Sequence, residues 1–347
     1  MRTIVVWGAA AALVLVGCTP TPTPANPKQE LTDAFVATGQ GQDSILTLTF
    51  DTTAEELAKA ADAGGFSQSA DAATKQASET LVKVLPTTSI KVAAHSDGGP
   101  LNTEKDPAKL DGTFQLSIDG KPVDLTWIDS RAFVHADVDG LGQATGLFTG
   151  DQLRMFAAAQ GAASPWLSDL LAGKWVEADS DAVQGAVADA QSSAAPTASA
   201  GGSIDAAKTV TLLLDNSEVT KADDDTYTLV TDAAKLINAY AAASDSDDFT
   251  AQQAGEMLAG IKEGATLDST VDVADGKVSR AVVDLDDIAR TWLKAEGPNQ
   301  AQIEKLAATD FRLDGVLGLA TDNPNVAVPS ATSTIPASDI EAMTPEG

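Results

Sequence analysis

Cysteine and histidine are scarce in this chain. Among 347 residues there is one cysteine, Cys18, and there are two histidines, His95 and His135. A single cysteine excludes a disulfide within one chain, so the fold must depend on the packing of its apolar core. Aromatic residues make up only 5% of the sequence, and alanine supplies much of the apolar content. The composition therefore predicts a core built mainly from small and aliphatic side chains.

Sequence motifs that carry catalysis are also missing. We find no G-x-S-x-G elbow, Ser-x-x-Lys, H-E-x-x-H, Walker A or C-x-x-C pattern. Both histidines lie on predicted strands. One of them could serve a Ser-His-Asp triad, but half-exposed strand positions are the interpretation we favour. We predict that the protein is not an enzyme and uses no cofactor.

Positive charge is in short supply. The chain has 22 basic and 50 acidic side chains, a formal net charge of −28. Nucleic-acid binding needs a basic surface, so no nucleic-acid partner is expected. The acidic clusters lack the spacing of a calcium loop, so we predict no metal site and interpret them as solvated turns and helix starts. These clusters are Asp223–Asp225, Asp245 with Asp247 and Asp248, and Asp284 with Asp286 and Asp287.

No apolar run is long enough to cross a bilayer, which takes about 20 residues. The uncharged run Ile4–Val16 follows Arg2 and ends in Leu15-Val16-Gly17-Cys18. A short apolar run after a basic start predicts a secretory signal peptide over residues 1–17. The last four residues resemble the bacterial lipobox. That resemblance implies a diacylglyceryl group on Cys18, cleavage before it, and attachment to the extracytoplasmic face of the cell membrane. An ordinary signal peptide with an unpaired cysteine is the alternative.

Composition divides the rest of the chain. Thr19–Pro27 alternates threonine and proline, which favours an extended segment over a packed one. Residues 191–203 are rich in Ser, Ala, Pro and Gly and show no apolar period, which is typical of a linker or insertion. The predicted organisation is a lipidated tether over 18–40, an N-terminal half over 41–190, the linker 191–203, a C-terminal half over 204–330, and a tail over 331–347.

Alternating apolar residues predict several strands. Thr113–Asp119 alternates and leads into Asp119-Gly120, a hairpin turn signal, and Val123, Leu125 and Trp127 alternate on the following strand. Asp129-Ser130 predicts a second turn, before a third strand over Arg131–Val138. Between the strands lie segments with helical apolar spacing, such as Asp71–Leu85 and Thr250–Lys262. Val326–Val328 is expected to begin a final strand or an extended tail. The predicted class is α+β with antiparallel strands.

One order of elements recurs on the two sides of the linker. A strand enters a helix at Phe50-Asp51 and again at Val230-Thr231. A second helix, a strand and an Asp-Gly turn then follow in Leu81–Gly98 and in Leu258–Gly276. Either the two halves are an internal duplication, or one large sheet uses the same local pieces twice.

Two segments carry a family resemblance. They read "DGTFQLSIDGKPVDLTWIDSRAFVHADV" from Asp111 and "LAGKWVEAD" from Leu171. They resemble uncharacterised actinobacterial lipoproteins of the LolA/LppX-like superfamily, over about half of the mature chain. The resemblance implies a strongly curved antiparallel sheet, or half-open barrel, with helices on its concave side, here enlarged or duplicated. It also implies that a lipid or another apolar molecule is carried between sheet and helices.

The expected function is therefore that of an anchored binding or presenting module. Its candidate apolar cavity would be lined by Leu46, Phe114, Leu116, Trp127 and Phe133 on the strands, facing Trp166 on a helix. Its expected partners are the membrane, through Cys18, and a lipid ligand; the oligomeric state stays open. The alternative is a structural or protein-interaction lipoprotein whose interior is filled and holds no ligand.

Overall fold

A computed structural model describes residues 26–65, 72–101, 103–104, 109–159, 165–179, 206–243, 264–292 and 300–339. The predicted signal peptide, the lipobox residues Leu15, Val16 and Gly17, Cys18 and the linker 191–203 lie outside these residues. So do the predicted helix over 250–262 and the cluster at Asp245, Asp247 and Asp248.

Within the described residues the chain is α+β. The strands are β1 (Asp43–Asp51), β2 (Thr88–Ser96), β3 (Leu110–Ile118), β4 (Lys121–Ile128), β5 (Arg131–Ala136), β6 (Val176–Ala178), β7 (Ser217–Lys221), β8 (Thr226–Asp232), β9 (Thr266–Ala274), β10 (Lys277–Asp284), β11 (Asp314–Ala320) and β12 (Ser333–Ile335). The helices are α1 (Pro27–Gly39), α2 (Ala54–Gly64), α3 (Ala72–Val84), α4 (Val138–Thr145), α5 (Gly150–Ala159), α6 (Pro165–Leu171), α7 (Ala206–Asp215), α8 (Ala233–Ala243), α9 (Asp286–Trp292) and α10 (Gln300–Ala308), with a 3₁₀ turn at Leu85–Thr87.

All twelve strands belong to one large, curved sheet that does not close. Their order is β12-β6-β5-β4-β3-β2-β1-β11-β10-β9-β8-β7. Every neighbouring pair is antiparallel except β12 and β6, which run parallel. The two predicted halves meet where β1 pairs with β11, so they share this sheet.

Three hairpins close through the two-residue turns that the sequence indicates. Asp119-Gly120, Asp129-Ser130 and Asp275-Gly276 all have positive φ at both residues. That geometry matches the right-handed twist of the flanking strands, and Asp and Gly tolerate it well. In contrast, Asp97-Gly98 does not make the predicted tight turn, because residues 97–109 connect β2 to β3. The repeat therefore holds for the strand–helix–strand order and fails at this turn, and a duplication stays a prediction.

The sheet has an inner face, which bears Leu46, Leu48 and Phe50 of β1, and an outer face. The three side chains join the main core cluster together with Leu31 and Phe35 of α1. Helices α1 and α7 pack over the strands from β7 to β10, α4 packs over β3 and β4, and α6 packs over β5 and β6. Successive side chains of each strand alternate between the two faces, and the outer face is largely polar, as expected when one face of an antiparallel sheet meets water.

The predicted tether is wrong over its second part. Residues 27–39 form α1, capped by the Asn26 side chain with Pro27 in the first turn. Leu31 is fully buried and Phe35 is 1% exposed, and both belong to the main core. The predicted tether extends too far toward residue 40, because the apolar spacing of Leu31, Phe35 and Val36 already indicates an amphipathic helix.

Two other predicted boundaries need correction. The tail over 331–347 starts with β12, which pairs with β6 through Ser333–Ile335, so its first part belongs to the sheet. Val326–Val328 takes the second of its two predicted forms, extended chain outside the sheet. Strand β5 ends at Ala136 because Asp137 caps helix α4, its side chain accepting a hydrogen bond from the Gly140 amide.

Candidate functional site

A half-buried apolar surface covers the inner face from β2 to β5. The strand register aligns Leu46, Val92, Phe114, Leu125 and Val134 across five strands. The next row holds Leu48, Ile90, Leu116, Val123 and Ala136. Leu125 is 37% exposed, and the other β3 and β4 members of the two rows are half-buried. We call the part of these rows on β2 to β5, together with Trp127 of β4, the apolar surface.

The inner face is buried over the other strands, from β8 to β11. Leu317, Ala281, Val271 and Tyr227 align across β11 to β8, and all four are buried. They lie beneath the helices that join the main core cluster. Equivalent positions on one sheet thus differ in exposure from one half to the other. The apolar surface is therefore the less deeply buried part of this face.

Four of the predicted cavity residues share the inner face, and they differ in exposure. Leu46 is buried in the main core. Phe114, Leu116 and Trp127 are half-buried on the apolar surface. Leu125 shows the greatest exposure there, but it is not among the predicted cavity residues. Its alternation with Val123 and Trp127 was the signal that could have included it.

Phe133 does not face the helix as predicted. It pairs with Thr126 and lies on the outer face, between Ala132 and Val134, which point inward. It is fully buried there, and the Arg131 guanidinium lies 4.8 Å from its ring centroid. Residues i and i+2 of a strand share a face, so Arg131 and Phe133 stack along the outer side. Strand β5 has apolar residues on both faces, so alternation alone does not show which face is turned toward the helices. The prediction placed Phe133 on the inner face, and this was wrong.

Trp166 closes one end of the apolar surface. It packs on Ala132, Val176, Ala178 and Ile335, and its indole Nε1 donates a 2.7 Å hydrogen bond to Asp339. A buried indole usually finds such an acceptor. Trp166 therefore belongs to a filled cluster that fixes α6 to the sheet edge.

Trp127 is positioned by a glycine. A Cβ atom built on Gly112 would lie 2.2 Å from Cζ2 of Trp127 and 2.7 Å from the Ala93 carbonyl oxygen. Gly112 and Trp127 are direct partners across β3 and β4. The absence of a side chain at residue 112 lets the indole ring lie across the neighbouring strand, within the apolar surface.

Both histidines lie on the outer face and are engaged by carboxylates. His95 Nδ1 is 2.7 Å from Asp43, and its Nε2 is 3.1 Å from Asp97. The Asp43 hydrogen bond, aided by Asp97, raises the pKa of His95. Because carboxylates hold both ring nitrogens, His95 is poorly suited to accept a proton from a serine nucleophile. His135 Nδ1 is 2.9 Å from Asp124, and its ring stacks on Trp175.

The acidic clusters that the structure describes act as turn and cap groups. Asp223 accepts a hydrogen bond from the Asp225 amide at the tip of the β7–β8 hairpin. Asp284 accepts one from the Asp286 amide where α9 begins. Across the described residues, no group of three or more His, Cys, Asp or Glu side chains is arranged to hold a metal ion.

Neither a family model nor a curated protein matches this chain. In the part of the chain that the structure describes, no helix has both the length and the apolarity to cross a membrane.

Proposed function

We propose that the protein is a membrane-anchored extracytoplasmic lipoprotein that binds or presents a lipid or another apolar ligand on its apolar surface. The proposal includes a LolA/LppX-like arrangement, with the ligand between sheet and helices. The observation that carries it is the contrast along one face of the sheet. Leu125 is 37% exposed, whereas Leu317 and Val271 on the same face are 3% exposed.

The chemistry of the surface suits an acyl chain. Phe114, Leu116, Val123, Leu125 and Trp127 offer apolar side chains from two adjacent strands. Covering apolar area yields about 25 cal/mol per Å², and each buried methylene yields roughly 0.8 kcal/mol. An acyl chain along these strands would therefore gain several kcal/mol without needing a charged partner.

A protein-interaction role is the second candidate. Leu147, just after α4, is 55% exposed, and Met155 of α5 is 65% exposed. Both helices belong to the layer on the inner face, beside the apolar surface. Helix α4 contacts α5, and exposed large apolar side chains on such neighbouring elements can form a contact site for another protein.

Lipid binding separates the two candidates. Residues 19–347, purified without detergent, should carry lipid at near-stoichiometric amounts in native mass spectrometry. Leu125→Gln should reduce the bound lipid several-fold, because it places a polar group on the apolar surface. Val230→Gln is a matched control, since Val230 is also an exposed strand residue (41%) but lies on the outer face of β8. A protein that takes up no added lipid, or equal loading in both variants, would favour the protein-interaction role.

Anchoring is tested separately. Cys18→Ala removes the sulfur that would carry the diacylglyceryl group, so the protein should leave the membrane fraction of expressing cells. One acyl chain gives only marginal membrane binding, and the two chains of a diacylglyceryl group give stable attachment. Retention of the Cys18→Ala protein on membranes would contradict the anchor.

A further inference from the structure

The outer face holds a cleft that is separate from the apolar surface. Its volume is about 290 Å³, close to the lower end of small-molecule sites. Its floor consists of two neighbouring rows across β1 to β4, including Lys91, Thr113, Gln115 and Thr126. The cleft therefore rests on strands that pair without a register shift.

Asp124 organises one side of this cleft. It accepts a 2.7 Å hydrogen bond from the Gln115 amide and is 2.9 Å from His135 Nδ1. Trp175 stacks on that histidine with a centroid distance of 5.1 Å and is one of the residues that line the cleft. A chain of contacts from Gln115 through Asp124 and His135 thus fixes the position of Trp175.

The roof comes from a distant part of the chain. After β11, in the middle of the sheet, residues 321–332 lead to β12 at its edge, and Pro324 reaches the cleft. Lys277 Nζ donates a 3.3 Å hydrogen bond to Thr321 Oγ1 at the start of the segment, and the Thr332 amide donates to the Trp175 carbonyl at its end. The segment is therefore held at both ends while it passes over the cleft.

The lining mixes donors and acceptors with one aromatic wall. Thr113 and Thr126 offer hydroxyls, Gln115 offers its carbonyl oxygen, and Lys91 offers an ammonium that forms no ion pair among the described residues. Both Asp124 oxygens already have partners, so this carboxylate is not free to select a cation. The net charge of −28 disfavours an anion.

The geometry points to a binding site for a neutral sugar unit in this cleft. Sugar hydroxyls both donate and accept hydrogen bonds, which fits the threonines, Gln115 and Lys91. The C–H face of a pyranose ring packs well against an indole such as that of Trp175. The site is on the opposite face from the apolar surface, so it does not depend on lipid binding.

Saturation-transfer difference NMR on the full chain in detergent micelles tests this site. The probes are glucose, galactose, mannose, arabinose, N-acetylglucosamine and glucuronate, at millimolar concentration. We expect transfer to at least one neutral sugar, reduced several-fold in Thr113→Val and in Lys91→Met. Thr228→Val is the matched control, because it makes the same change on the outer face of β8, far along the sheet.

Two results would overturn the assignment. One is no transfer to any neutral sugar, whether or not glucuronate shows transfer. The other is equal transfer in Thr113→Val, Lys91→Met and Thr228→Val. Lys91 is exposed on the sheet surface, so Lys91→Met decides the question if Thr113→Val does not fold.

Discussion

Asp286 is a carboxylate held in an environment that disfavours its charge. Its Oδ1 accepts a 2.6 Å hydrogen bond from the Leu313 amide, which links the start of α9 to the chain before β11. Burial raises the pKa of Asp286 to about 6, and the carboxylates of Asp284 and Asp314 add to the rise. The Leu313 hydrogen bond and Arg290 act in the opposite direction but do not cancel it.

A raised pKa makes this site pH-dependent. The folded pKa lies above the unfolded value of about 3.9, so its contribution to stability is fully present below that value and is lost as the pH rises through 6. Asp286→Asn keeps an acceptor for the Leu313 amide and removes the charge. At pH 7 the variant should therefore be more stable than the parent by roughly 1–2 kcal/mol, because solvent screening of this half-buried group reduces the effect, with little difference near pH 4.

Urea unfolding at several pH values measures this difference. Asp275→Asn, at an exposed hairpin turn, is the control for removing one negative charge from an acidic chain. A stabilisation by Asp286→Asn that is equal at acidic and neutral pH would show that the burial of Asp286 is not its cause.

A side chain at residue 112 should change the position of Trp127 on the apolar surface. Gly112→Ala would force the Trp127 ring or the Ala93 carbonyl to move, and such overpacking costs about 1–3 kcal/mol. We expect lower stability and altered tryptophan fluorescence. Gly318→Ala is the matched control on β11, where the new methyl would meet only the Thr47 carbonyl at 3.9 Å. Equal effects of the two substitutions would mean that Gly112 is not required for the position of Trp127.

At the scale of elements, local patterns predicted what local forces determine. The hairpins at Asp119-Gly120 and Asp275-Gly276 depend on turn residues and alternation, and both are confirmed. The predicted face of Phe133 was wrong, and strand β12 was not predicted. Strand β5 has apolar residues on both faces, so its orientation follows from pairing with β4, and β12 exists because a distant segment returns to β6.

The candidate sites follow the same division. Alternation alone placed Phe114, Leu116 and Trp127 on one face, so most of the apolar surface could be predicted. Its exposure could not, because that depends on which helices cover each part of the sheet. The outer-face cleft needs Pro324 and Trp175 to meet over β1 to β4, which no local pattern of the sequence indicates.

At the scale of the whole molecule, the order of strands joins distant parts of the chain. Strand β1 pairs with β2 on one side and with β11 on the other, more than two hundred residues later. Periodicity gives no information on such a pairing. A consequence is that the predicted halves share a core, which includes α1 from the beginning of the described chain.

Helix α1 ties the start of the chain to its C-terminal part. Thr38 Oγ1 accepts a 2.8 Å hydrogen bond from the Val278 amide of β10. Glu30 accepts hydrogen bonds from the Tyr227 hydroxyl at 2.6 Å and from Lys221 Nζ at 2.8 Å. Because α1 is part of the folded domain, the predicted tether shortens to residues 18–26. A fully extended segment of that length reaches about 30 Å at most, so the proposed anchor at Cys18 would keep the domain close to the membrane.

This arrangement predicts that truncation tolerance ends at α1. A chain of residues 26–347 should unfold in the same cooperative transition as residues 19–347. A chain of residues 41–347 loses Leu31 and Phe35 from the core, and losses of this kind cost about 2–5 kcal/mol for each large side chain. Domain stabilities are only about 5–15 kcal/mol, so the shorter chain should lose its sharp thermal transition in circular dichroism.

Phe35→Ala in residues 26–347 should lower the unfolding temperature, whereas Lys28→Ala, at a partly exposed ion pair with Asp215, should change it little. An unchanged transition for residues 41–347 would restore the interpretation of residues 27–40 as tether.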